Sequence, residues 1–208
     1  MDLKKAKLEI FNQFIAKSQQ EKANIDLLKT ITTDIGLSAN MAAILFPAGL
    51  SDILSMIFEM RFAHLAKETV ISELNVLRVK DRIKHLLLKF FNSMAEEKLA
   101  IKSILKSSGK DLSLLVINLK ISWQIVDAIW YMAGDKATDF NYYTKRILLY
   151  SVYIPSLVYW MSNKRSDKGL ENFIDNLLIR VNKIGKVKSW FKNDFKFSDL
   201  PIIRFFKM

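Results

Sequence analysis

Gly134-Asp135-Lys136-Ala137-Thr138-Asp139-Phe140-Asn141-Tyr142-Tyr143-Thr144-Lys145-Arg146 reads as the junction between two long helices. Gly134 is a helix stop, because a residue without Cβ enters the left-handed region freely, and Thr138 or Asp139 is a cap for the next helix. On one side, Leu112 to Met132 predicts a very apolar helix carrying Trp123 and Trp130. On the other, the helix holding Tyr142, Tyr143 and Tyr153 runs to about Trp160.

The 208 residues are half hydrophobic and one quarter charged, which suits one core in one domain rather than disorder. Three prolines and six glycines leave little room for the turns of a β fold, so the expected class is all-α. A net charge of +11 implies a partner of negative potential, either nucleic acid or an anionic membrane surface. The absence of cysteine excludes disulfides, thiolate metal sites and cysteine nucleophiles, and fits a reducing compartment. The opening residues Met1 to Glu9 carry acids and lack the apolar run of a secretory signal or the arginine and serine richness of a transit peptide. They favour a bacterial cytoplasm with contact to the inner membrane; the alternative is the matrix side of the mitochondrial inner membrane. The uncharged run Ile147 to Met161 is shorter than the roughly 20 residues of a membrane span, and Pro155 interrupts it. That run is expected to be a buried core helix.

Working outward toward the N-terminus, Leu8, Phe11, Phe14 and Ile15 give the first helix an apolar stripe. A second helix, about Asp26 to Ile35, ends at Gly36, and Ser38 offers a cap for a third helix through Phe46. This is the outline of a helix-turn-helix. Pro47-Ala48-Gly49 breaks the chain, after which helices are expected from Ser51 to Leu74, Val76 to Met94 and Glu97 to Lys106. The cations of the second of these, Arg78 to Lys89, read as a solvated face. A last helix runs from Leu170 to Val187. Residues 1–49 therefore read as a helix-turn-helix-like part, 50–188 as the helical core of the same domain, and 189–208 as a basic aromatic tail.

The helix-turn-helix outline resembles that of TetR-type repressors. Its would-be reading helix is Ala39-Asn40-Met41-Ala42-Ala43-Ile44-Leu45, where only Asn40 suits a bidentate base contact and no cation meets phosphate, so nucleic acid is not the expected partner. His64 and His85 lack a metal-ligand pattern, and His64 with Glu68 reads as a solvated pair. Glu96 and Glu97 are adjacent and point to different helix faces. No nucleophile elbow, phosphate loop or dinucleotide turn is present, which argues against an enzyme.

Gly134, Asp139 and the tyrosines could be a helix stop, a cap and core filling and nothing more. The junction also resembles the central motif of the ubiquinone (coenzyme Q) biosynthesis lipid-binding proteins, the family of the ninth Coq protein. Further matches lie in Val126-Asp127 with Trp130, in Arg78-Val79-Lys80-Asp81-Arg82-Ile83, in Val152-Tyr153, and in Phe173, Ile179 and Val181, a stretch from Arg78 to Lys188. The resemblance implies a TetR-like helical fold, a homodimer, and a non-enzymatic protein without cofactor or metal. Its ligand would be an isoprenoid quinone intermediate or a phospholipid, held in a hydrophobic pocket and presented to the demethoxyubiquinone hydroxylase. By the same resemblance Arg146 contacts the lipid, while Ile129, Trp130, Tyr142 and Tyr143 form the surface that docks the hydroxylase. Tyr142 departs from the tryptophan of mitochondrial members.

A carrier must match a bilayer's affinity for the isoprenoid, about 0.8 kcal/mol per buried methylene, and helices as apolar as Leu112 to Met132 could line such a site or simply fill a core. The tail alternates aromatics with cations. Trp190, Phe191, Lys192, Phe195, Lys196, Phe205 and Phe206 are the expected contact with an anionic membrane, each cation contributing on the order of 1 kcal/mol; packing on a partner subunit is the other reading.

Overall fold

Three positive-φ glycines divide the chain where the sequence puts its breaks: Gly36 at 82°, Gly49 at 56° and Gly134 at 90°. The structure is a computed structural model that describes residues 2–69, 74, 76–108, 111–136, 138, 140–162 and 167–187. The tail residues Trp190, Phe191, Lys192, Phe195, Lys196, Phe205 and Phe206 lie outside the described residues.

Among the described residues there are nine helices and no strand, as an all-α chain requires. They are α1 Leu3–Lys17, α2 Ile25–Asp34, α3 Met41–Leu45, α4 Leu50–Glu68, α5 Val79–Ser93, α6 Lys98–Ser108, α7 Leu112–Met132, α8 Phe140–Met161 and α9 Asp167–Val187. Asp2, Asn24 and Asp111 cap α1, α2 and α7 by accepting backbone N–H bonds. Helix α2 closes with paired bonds from Gly36 N–H to the Thr33 carbonyl and from Leu37 N–H to the Thr32 carbonyl, the Schellman arrangement that a left-handed glycine permits.

Several expected details change. Ser38 does not cap α3: its carbonyl accepts the Met41 N–H, so a turn occupies Ala39-Asn40 and the helix shrinks to five residues. Helix α4 ends at Glu68, and α5 begins at Val79 because Arg78 is extended. Leu8 is exposed, and Ile10 fills the core of α1 instead. One expectation holds: α8 runs on through Pro155, whose missing N–H leaves the Ser151 carbonyl without its helical donor, and Ser151 is exposed.

Helix α5 is the hub. Phe90 packs on Phe58 and Phe62 of α4 at centroid distances of 6.0 and 4.4 Å. Phe91, on the adjoining face, stacks on Tyr153 at 5.9 Å and Trp160 at 5.8 Å, both from α8. Burying aromatics of this size supplies a large share of core cohesion. The cations of α5 are more than a solvated face: Lys80 meets Asp175 at 2.7 Å and Lys84 meets Glu171 at 3.2 Å, setting α9 antiparallel to α5. Lys89 donates to the Glu68 carbonyl at 2.9 Å, binding the end of α4.

Helix α7 packs against α4, α5, α6 and α8 through Ile121, Ile125, Val126 and Ile129. It is also long and apolar enough to cross a membrane, judged by length and composition alone, and one third of its most apolar window is buried. Its outer face keeps Leu112, Leu115, Val116 and Leu119 exposed. Glu96 and Glu97 lie in a turn and converge on one cation: Glu97 is buried against Arg61, and Glu96, its side chain exposed, reaches the same guanidinium at 3.8 Å. His64 and Glu68 form a half-exposed pair at 3.0 Å, and no metal-binding cluster of acidic, histidine or cysteine residues occurs among the described residues.

Candidate functional site

The turn after α7 creates the site. Gly134 N–H bonds the Tyr131 carbonyl and Asp135 N–H bonds the Trp130 carbonyl, each at 3.0 Å, a second Schellman closure. It delivers the Asp135 carboxylate beneath the start of α8. Arg82 of α5 clamps the turn from behind, its Nη1 donating to the Ala133 carbonyl at 3.1 Å and its Nε to the Leu77 carbonyl at 2.9 Å.

Helix α8 runs antiparallel to α7, so residues near its start face the last turns of α7. The Trp130 indole N–H donates to the Lys145 carbonyl at 2.9 Å, and the Lys145 ammonium lies 5.7 Å from the Trp130 ring centre while holding Asp135 at 2.5 Å. The Tyr142 hydroxyl donates to Asp127 at 2.9 Å. Arg146 donates from Nε to the same Asp127 oxygen, and from Nη1 to Asp135 at 3.0 Å and to the Tyr142 carbonyl at 3.1 Å. Its guanidinium carbon is 3.4 Å from the centre of the Tyr142 ring.

Two carboxylates therefore face two cations, and the cluster is balanced in charge. Burial alone would lower the pKa of Arg146, but hydrogen bonds to Asp127 and Asp135 outweigh it and raise the value. The bond to Asp127 raises the Tyr142 hydroxyl too, with burial adding to it. Arg146 is 4% exposed, whereas the Asp127 side chain is 42% exposed, so solvent reaches the cluster from the carboxylate side.

The predicted residues thus gather at one place with different exposures. Trp130 and Tyr142 are partly buried, and Tyr143 is 55% exposed with its ring edge-on to Tyr142 at 5.0 Å. Ile129 is fully buried and supports that surface from beneath. Sequence reading passed over Tyr131, which is 78% exposed beside Trp130; its position four residues after Asp127 on the outer face of α7 was the available signal. This arrangement holds a rigid aromatic surface over a neutralised polar base. Such a surface suits binding.

The segment that builds the site, residues 116–185, matches the COQ9 family model. That segment is similar to COQ9 proteins, and the match takes in about a third of the chain. A probable mitochondrial ubiquinone biosynthesis protein coq9 of Dictyostelium discoideum is 37% identical over 73 residues, covering 35% of this chain and 22% of the relative. The mitochondrial ubiquinone biosynthesis protein COQ9 of Homo sapiens is 31% identical over 77 residues, covering 35% of this chain and 24% of the relative. The chain thus spans about a quarter of the length of the curated relatives it matches. The matched segment comprises most of α7, all of α8 and most of α9, so it coincides with the junction and excludes the N-terminal helices.

Proposed function

We propose that this chain is a non-enzymatic accessory protein of ubiquinone biosynthesis that binds aromatic isoprenoid intermediates at a membrane and presents them to the demethoxyubiquinone hydroxylase. One observation carries the reading: the segment similar to COQ9 is the segment that folds into the aromatic junction of Trp130, Tyr131, Tyr142 and Tyr143. Exposed aromatics on a rigid base are the residue type that anchors protein partners.

Arg146 has the lipid-contact role in this reading, and a headgroup would reach it by displacing or bridging Asp127. The tail residues 189–208 supply the membrane contact, through aromatics at headgroup depth and cations over an anionic surface. The outer apolar face of α7 with Val158 of α8 supports a homodimer, since Leu112, Val116 and Leu119 recur at helical spacing and are open to solvent. A TetR-like arrangement of α1 to α3 with the remaining helices belongs to the same proposal, as does a location on the matrix side of the mitochondrial inner membrane; the names of the relatives support the mitochondrion and no finer place.

The test is to extract lipid from the purified protein for mass spectrometry and to assay capture of the hydroxylase. Copurified quinone or phospholipid together with capture is expected. A protein without lipid that still captures the hydroxylase would be a plain adaptor, and salt-sensitive duplex binding without either would point to a TetR-like regulator.

A further inference from the structure

On elements that take no part in the junction, α1 and α4 border an open groove of about 500 Å³. Phe11 and Ile15 form its apolar floor, and Ala16 and Met60 stand at its edges. Met60 is 47% exposed, and Leu8, one turn before Asn12 of the α1 edge, is 46% exposed. The leucine that the apolar stripe of α1 leaves out of the core thus prolongs this edge.

The Gln19 end of the groove is acidic. Gln19 Nε2 donates to the Glu96 carbonyl, which brings the turn before α6 against the end of α1. Arg61 of α4 gives both Nε and Nη2 to Glu97, the Nε bond at 3.2 Å, and reaches Glu96 only at 3.8 Å. Two carboxylates therefore share one guanidinium, and Glu96, its side chain 87% exposed, keeps a negative charge facing water. The nearby cations point elsewhere: Lys17 is held by Asp34 at 2.8 Å, and Lys98 lies 5.2 Å from the Trp160 ring centre. On a chain of net charge +11 this is a local reversal of sign.

We propose that this groove docks a basic amphipathic helix of a partner protein, its apolar side chains on Phe11, Ile15 and Met60 and a lysine or arginine against Glu96. Charge complementarity selects that partner, since an anionic surface drawn to the rest of the chain is repelled here. Shape selects a helix over a small molecule. Small-molecule pockets enclose most of their ligand, whereas this groove is open to solvent, and a helix with a polar outer face leaves nothing apolar in water. From Leu8 to Gln19 the α1 edge is about 16 Å long, which matches about three helical turns. Met60 supplies an edge that adapts to the side chains it meets. None of these residues belongs to the matched segment 116–185, so the groove and the carrier reading stand or fall separately.

The probe is a fluorescein-labelled peptide of about 14 leucines and lysines patterned as an amphipathic helix, with a leucine and glutamate peptide of the same pattern as control. Fluorescence anisotropy with the full chain should show the lysine peptide binding and the glutamate peptide not. Ala16→Trp fills the groove, and Glu96→Lys reverses its charge. Both positions are exposed, and Gln19 bonds the Glu96 backbone rather than its side chain, so Glu96→Lys keeps the test in hand should Ala16→Trp fail to fold. Kd for the lysine peptide should rise about ten-fold in Ala16→Trp and about five-fold in Glu96→Lys. Either folded variant binding within about two-fold of wild type would overturn the docking site. So would a glutamate peptide that binds as tightly as the lysine peptide, or a wild type that binds neither.

Discussion

Arg146 Nη1 lies 3.0 Å from Asp135 Oδ2 with both side chains 4% exposed, so the two long helices α7 and α8 are joined through a buried ion pair as well as through the chain. Removing one partner of such a pair strands a charge in a low-dielectric place. Asp135→Ala should destabilise the protein by about 3 kcal/mol, measured by urea unfolding. Asp127→Ala should do less, because the Asp127 side chain is half open to water that can replace it. Equal losses for the two would show that the Asp135 pair is not the stronger tie.

Gly134 holds φ at 90°, and a Cβ added there would meet the Arg82 guanidinium at 3.3 Å. Gly134→Ala should lower stability by about 1–2 kcal/mol through left-handed strain alone, seen as a lower Tm. Gly36→Ala is the comparison, since at φ 82° its added Cβ meets nothing within 4 Å. Gly134→Ala should be the worse of the two, and the excess should shrink in the Arg82→Ala background.

Alkaline pH should loosen the fold. Burial pushes the Tyr153 hydroxyl far above its ordinary value of 10.0, and Tyr150 and Tyr142 are raised as well. The folded protein thus keeps protons that the unfolded chain releases, so this contribution is intact below pH 10 and is lost as pH climbs above it. Unfolding curves should show up to about 1.4 kcal/mol lost per pH unit above 10 from Tyr153, a slope that Tyr153→Phe reduces.

Tyr143 and Tyr131 are the two most open aromatics of the junction. The double variant Tyr131→Ala, Tyr143→Ala should change stability by under about 1 kcal/mol, as surface changes do. Its affinity for the hydroxylase should fall at least ten-fold by surface plasmon resonance. Ile129→Ala should show the opposite pattern, a loss of about 2–5 kcal/mol in stability, because Ile129 is fully buried.

Charges on the outer face of α7 test the proposed homodimer. Val116→Glu with Leu119→Glu should give a folded monomer by light scattering, whereas an unchanged molar mass would remove that face from the assembly.

The helices were legible where apolar spacing and a glycine stop agreed, as at Leu112–Met132 with Gly134. They were less so where a single residue had to decide. Ser38 has the chemistry of a cap, but its carbonyl was taken by Met41 and no side-chain cap forms. That these residues share one junction was legible; how they are wired together was not. Composition could show that Arg146 sits near tyrosines. It could not show that Asp127 and Asp135, nineteen and eleven residues earlier, both turn toward that guanidinium. The burial of Asn118 was hidden for the same reason, since a polar residue among leucines reads as facing water until the neighbouring helix is in place.

The tight closure at Gly134 also bears on how the molecule reaches its native state. Helices α7 and α8 are neighbours in sequence and meet along much of their length, so little chain entropy opposes their docking. That hairpin should gain protection from hydrogen exchange early in refolding, ahead of the long-range seam between α5 and α9. An exposed leucine ridge would then appear on a half-made protein, which makes the order of assembly a concern for chaperones.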